Sequence, residues 1–113
     1  MKYRLIEKTL TPVSITAAAN SEWFDVGGQG CDSIAMVMVA TAASSPNTAT
    51  IQLVGSLDKS ALVNVGSSVS VAANGTFSVS ADRPVFRYYR LAYAIASGSY
   101  TSTLSVLAKG DKE

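Results

Sequence analysis

The chain has 113 residues, and the groups in it that could do chemistry are few. Its carboxylates are Glu7, Glu22, Asp25, Asp32, Asp58, Asp82, Asp111 and Glu113. It has one cysteine, Cys31, and no histidine. Without imidazole there is no Ser-His-Asp triad and no Cys-His pair. One cysteine makes neither an intrachain disulfide nor a Cys-rich zinc site. Cys31, beside Asp32, reads as a small, partly buried residue, because no base or helix terminus is legible to activate it. Glu22 and Asp25 flank Trp23 and Phe24, a pattern compatible with acids beside a sugar-binding ring. A glycosidase needs two such groups about 5 to 9.5 Å apart, and the simpler reading is a solvated strand end with a buried Trp. Asp58 and Asp82 stand alone in their turns, so no calcium site is expected. The cluster Gly27-Gly28-Gln29-Gly30 lacks a following Gly-Lys-Ser/Thr and helix, so it is a loop and not a phosphate cradle. No catalytic residue, metal or cofactor is expected, and the chain reads as a non-enzyme.

The richest constellation is Arg83, Phe86, Arg87, Tyr88, Tyr89 and Arg90. Interleaved arginines and aromatics suit three roles. They stack on single-stranded nucleic acid while contacting phosphates. They form protein interfaces, where Tyr and Arg are enriched. Or the aromatics fill a core while the arginine stems run along its surface. The net charge of +1 and a charged fraction of 15 % argue against nucleic acid. The core and interface readings remain.

The elements that position these residues are strands. The composition is rich in Ser, Thr, Ala and Val, types that favour pleated surfaces over helices. Short apolar runs recur between turn signals every 8 to 12 residues. Lys2 to Leu10 alternates loosely up to Thr11-Pro12, a break or an edge. Val13 to Ala17 follows, with one possible helical turn at Ala17–Asn20. Trp23 to Val26 and Ser33 to Ala42 come next. In the latter Ile34, Met36 and Met38 share one face, and Ala35, Val37 and Val39 the other. Both faces are apolar, so core burial or an oligomer interface is expected on each. Ala49 to Leu57 turns Ile51, Leu53 and Leu57 inward, with Gly55 marking a close contact. Leu62–Val65 and Val69–Val71 are short. Asn74-Gly75 is a hairpin signal leading into Thr76–Ser80. Val85 to Ile95 and Tyr100 to Ala108 are long, and the short turn between them predicts a hairpin. Lys109 to Glu113 reads as a frayed charged tail. Eight to ten short strands in one domain predict an all-β antiparallel sandwich, with a jelly roll preferred over an immunoglobulin-like arrangement.

The longest apolar run, Ile34 to Ala40, is far short of the roughly 20 residues of a membrane helix. Met1 to Lys8 is charged throughout and is not a secretory leader. Synthesis in a cytoplasm is expected, with no membrane partner.

Several short segments resemble bacteriophage virion proteins. Ile51-Gln52-Leu53-Val54-Gly55-Ser56-Leu57-Asp58 followed by Leu62-Val63-Asn64-Val65 is similar to a strand ending Gln-x-Ser-x-Asp-Gly before a Trp-x-x-Val strand. Here Lys59 stands for the glycine, and Leu62 or Val63 for the tryptophan. Arg87-Tyr88-Tyr89-Arg90-Leu91 and Thr101-Ser102-Thr103-Leu104-Ser105-Val106 resemble the closing hairpin of such proteins. Ser21 to Gly28 fits the same style. Residues 20 to 108 thus resemble small jelly-roll capsid decoration (cement) proteins. The resemblance implies a non-enzymatic protein on the outside of a virion, bound to a major capsid protein as a homodimer or homotrimer and reinforcing contacts between capsomers. Tyr3, Arg4, Trp23, Arg87, Tyr88 and Arg90 are the candidate contact residues, and Met1 to Leu10 is either an arm or the first strand. A different expectation is a carbohydrate- or receptor-binding module of a tail or fibre, using Trp23, Tyr88 and Tyr100.

Overall fold

The fold is seen in a computed structural model that describes residues 2–27, 31–44, 46–82 and 86–111, with the backbone alone described for 2–5 and 111. Ten strands alternate with turns: β1 (Lys2–Thr9), β2 (Val13–Ile15), β3 (Ala19–Asn20), β4 (Phe24–Asp25), β5 (Ser33–Thr41), β6 (Thr48–Ser56), β7 (Val63–Val71), β8 (Gly75–Asp82), β9 (Tyr88–Ser97) and β10 (Tyr100–Asp111). All pairings among them are antiparallel. One sheet runs β1-β10-β5-β8, with β2 continuing along β10 after the Thr11-Pro12 break. The other runs β3-β9-β6-β7, with β4 also on β9. The pairs are nested: β1 and β2 with β10, β3 and β4 with β9, β5 with β8, β6 with β7. A long antiparallel ribbon wound into two sheets in this way is a jelly roll.

Period-2 alternation builds the core. In β5, Ile34, Met36, Met38 and Ala40 are buried, and in β10 Tyr100, Ser102, Leu104, Val106 and Ala108. From the opposite sheet Ala49, Ile51 and Leu53 of β6 and Tyr89, Leu91 and Tyr93 of β9 meet them. Gly55 also faces in: a Cβ there would stand 2.5 Å from Phe86 Cδ2, so the glycine admits the Phe86 ring. Phe86 N donates to the Tyr89 hydroxyl at 2.9 Å, and Tyr93 and Ser102 share a hydroxyl bond of 2.9 Å. Where β1 and β2 face β3, the sheets part around a cleft of about 420 Å³, and Lys8 bridges to Glu22 across it at 3.1 Å.

The structure departs from the sequence reading in several places. The β9–β10 turn is not a hairpin: β9 and β10 belong to different sheets, and the turn carries the chain across the sandwich. Gly98, at φ +94°, makes that crossing. It lies against Ser44 and Asn47, and Ser44 exchanges hydrogen bonds with Ser99 at 2.9 and 3.0 Å. Asn74-Gly75 likewise joins β7 of one sheet to β8 of the other. A two-residue type I′ hairpin requires positive φ at both central residues, and neither of these has it. Asn74 Oδ1 instead accepts from Ala43 N at 2.8 Å.

The two short segments around Gly66 are one strand, β7, carried past an irregular register by Gly66 at φ +72°. Gln52 Nε2 donates to the Val65 and Gly66 carbonyls there, at 3.0 and 3.2 Å. Thr16 to Ala18 bend and enter β3, where a helical turn is one expectation. Leu57 is 66 % exposed, not inward, because β6 ends at Ser56. The expected fray at the C-terminal end is strand as far as Asp111, which pairs with Lys2. Within Met1 to Leu10, Lys2–Thr9 forms a first strand at the edge of its sheet. Among the described residues the second face of β5 is left partly open: Val37 and Val39 are exposed. Gly28, Gln29, Gly30, Arg83, Pro84, Val85, Lys112 and Glu113 lie outside the described residues.

The buried phenols give a pH test of this core. Burial pushes Tyr89 and Tyr100 up to about 12, and raises Tyr93. A folded-state pKa above the ordinary 10 means the stabilisation is complete below pH 10 and is lost as pH climbs from 10 towards 12. Tyrosinate absorbance and circular dichroism followed in one titration are expected to move together above about pH 10. Full tyrosinate absorbance with native dichroism at about pH 10.5 would contradict the packing.

Candidate functional site

The outward face of the β3-β9-β6-β7 sheet gathers four of the six expected contact residues at one end. Register places them. β4 pairs with β9 so that Phe24 opposes Tyr89 and Asp25 opposes Tyr88. Inward residues thus oppose inward ones, and Asp25 and Tyr88 share the outer face. Trp23 then falls beside Arg90. Its ring meets the Tyr88 ring edge-on, with centroids 6.4 Å apart and planes at 70°. The Arg90 guanidinium lies over the Trp23 ring at 4.4 Å. Arg87 lies 5.1 Å from the Tyr88 ring centroid, and Lys59 Nζ 4.8 Å from it. Trp23, Tyr88 and Arg90 are half-buried, and Arg87 is exposed.

Strict alternation through Val85 to Ile95 would put Arg87 on one face with Tyr89 and Leu91, the residues that turn out to be buried. It sits ahead of β9, in a bend, and turns out to Asp25. Its Nε and Nη2 each donate to one Asp25 oxygen at 3.0 Å. Gly27 N adds a third bond to Asp25 Oδ1, at 2.8 Å. The Arg87 bond, then the Gly27 amide, hold the Asp25 carboxyl below the ordinary carboxylate range. The pair is therefore intact above that range and opens as pH falls through the lowered value.

Sequence reasoning missed Lys59 and the loop that presents it. Ser56 Oγ accepts from Lys59 N at 2.8 Å, and Asp58 Oδ1 accepts from Ser60 N and Ala61 N, each at 2.9 Å. The Ala61 and Ser60 amides lower the Asp58 carboxyl, in that order. This bracing holds Lys59 at φ 68°, a conformation non-glycine residues seldom take, and so sets its amine over Tyr88. The same loop leaves Leu57 and Leu62 exposed, while Val63 is exposed on the other face of the sheet, opposite the inward Gly55. The legible signal was an apolar pair around the polar turn Asp58-Lys59-Ser60.

Tyr3 and Arg4 do not join this group. They lie on β1 in the other sheet, opposite Gly110 and Lys109, and their side chains are outside the described residues. Tyr100 is 1 % exposed, so it drops out as a sugar-contacting ring. Arg83 is outside the described residues. Cys31 is buried, and desolvation followed by the Asp32 charge pushes its thiol up to about 11. A thiol in that state is a poor nucleophile at neutral pH. Among the described residues no three His, Cys, Asp or Glu side chains converge as metal ligands. Glu22 pairs with Lys8 and Asp25 with Arg87.

What this patch offers is recognition chemistry: two aromatic rings and three cations, with Leu57 and Leu62 exposed in the loop that presents Lys59. The chain matches no protein-family model and no curated protein sequence.

Proposed function

We propose that this protein is a non-enzymatic structural component of a bacteriophage virion, a small decoration protein that binds the major capsid protein on the outside of the shell. The observation that carries the reading is the outward-facing cluster of half-buried Trp23, Tyr88 and Arg90 with exposed Arg87 and Lys59, and with Leu57 and Leu62 exposed in the Lys59 loop. Trp, Tyr and Arg are the residue types that dominate binding energy at protein interfaces. The resemblance of residues 20 to 108 to cement proteins gives the partner. The outer face of β5, with Val37 and Val39 exposed, supplies a second surface for a homodimer or homotrimer. One protein that holds two neighbours needs both.

Purified protein is expected to co-sediment with expanded capsids and to raise the temperature at which they release DNA. Mass measurement in solution is expected to give a dimer or trimer. Absence of binding to every capsid form would overturn the proposal. The second reading, a carbohydrate- or receptor-binding module of a tail or fibre, keeps Trp23 and Tyr88 as its partly exposed rings. Arg90 already covers one face of Trp23, which leaves less ring for a sugar. Binding to a glycan array in place of capsids would favour it.

A further inference from the structure

Arg87 and Arg90 stand three positions apart and differ in one respect. Both edge donors of Arg87 are taken by Asp25. Arg90 has no carboxylate partner among the described residues, and its Nε is buried without an acceptor. One side of its guanidinium is covered by Trp23, and Val54 stands opposite it on β6. A guanidinium whose Nε–H is buried without an acceptor has hydrogen-bonding capacity the chain does not meet, and an incoming anion engages that group. Contact with the indole face restrains the guanidinium, and its terminal Nη groups offer a fork for a planar two-oxygen acceptor.

The surroundings select the anion. Asp25 and Asp58 flank the patch, so a polyphosphate strand would meet two fixed negative charges along with the cations. A single carboxylate meets Arg90 without extending over them. The exposed Leu57 and Leu62, in the loop that carries Lys59, provide apolar contact. We propose that Arg90 is a carboxylate receptor, and that the patch takes a partner segment bearing one Asp or Glu next to aliphatic side chains. The inference rests on reading the patch as a protein-docking surface, and it names the chemistry of the partner.

The test needs no capsid. Folded, isotope-labelled protein is titrated with acetyl-Leu-Glu-Leu-amide, with acetyl-Leu-Gln-Leu-amide and with oligothymidylate, while the Arg90 Nε–H and Trp23 indole N–H resonances are followed. Saturable shifts of both with the Glu peptide are expected, at least about tenfold weaker with the Gln peptide. Arg90→Gln and Arg90→Lys are both expected to lose the preference for Glu, the second because an ammonium has no fork. Lys109→Gln, on the other sheet, is expected to keep it. Equal shifts with both peptides, a response to oligothymidylate alone, or retention of the Glu preference in Arg90→Lys would each overturn the proposal. Failure of capsid binding with the Glu preference intact would remove the virion reading and leave the receptor standing. Capsid binding with no Glu preference would do the reverse.

Discussion

Trp23→Ala is expected to weaken capsid attachment about a hundredfold, while the protein stays folded. Truncating a central aromatic anchor at an interface costs about 2 to 4 kcal/mol of binding. Here the loss extends beyond the ring itself. Trp23 is the surface on which Arg90 lies and the edge partner of Tyr88. Without it the Arg90 side chain regains its rotamers, and binding must order it again. The fold is expected to survive, because the ring lies on the outward face and the core beneath β4 is made by Phe24 and Tyr89. Trp23→Phe, which keeps a ring but less of it, is expected to fall between. Capsid affinity measured by co-sedimentation, alongside far-ultraviolet dichroism, separates the two effects. Unchanged affinity in a folded Trp23→Ala protein would mean that the patch is not the contact.

Gly98→Ala is expected to be the most destabilising glycine-to-alanine substitution among the described residues. Two penalties coincide there. The backbone stands at φ +94°, where an L side chain is strained by about 1 to 3 kcal/mol. A Cβ would also stand 2.5 Å from Ser44 Oγ and Asn47 Oδ1 and 2.9 Å from Asn47 Cα. Asn47 is in no position to withdraw: it is buried, and its Nδ2 donates to Val71 O at 2.7 Å. Overpacking of that kind adds roughly another 1 to 3 kcal/mol. Gly66→Ala separates the two, since Gly66 has φ +72° but only Ser80 O near it, at 4.0 Å. Denaturant unfolding is expected to show a loss at Gly98 at least about twice that at Gly66. Equal losses would mean that the corner is soft and the contact with Asn47 carries no weight.

Much of the sandwich was legible because alternation is a local signal. Ile34, Met36 and Met38 against Ala35, Val37 and Val39, or Phe77 and Val79 against Thr76, Ser78 and Ser80, give each strand and its inner face without reference to any partner. Proline at position 12 gave the break between β1 and β2. Which sheet a strand joins was less legible. Turn chemistry at Asn74-Gly75 and Ser97-Gly98-Ser99 reports that the chain reverses, and a reversal within a sheet looks the same in sequence as one between sheets. The arginine–aromatic stretch was recognisable by composition, but its organisation was not. Trp23 meets Arg90 only through the β4–β9 register, and Arg87 leaves the face it would share with Tyr89 and Leu91 because β9 begins only at Tyr88. Lys59 comes to Tyr88 through a turn braced by Ser56 and Asp58, and nothing in its neighbours' identities announces that.

The nesting of the strands also governs the order in which the molecule can form. β10 contributes the last residues of the sandwich, yet it lies inside its sheet, between β1 with β2 on one side and β5 on the other. During synthesis β6 and β7 can pair early, and β9 can join them, but the β1-β10-β5-β8 sheet has no continuous ladder until β10 is available. Pairing of such distant segments places a domain among the slow folders, in milliseconds to seconds. Until then the inner faces of β5 and β9 are open to other chains. Refolding from denaturant is therefore expected to be slow and to lose yield as protein concentration rises.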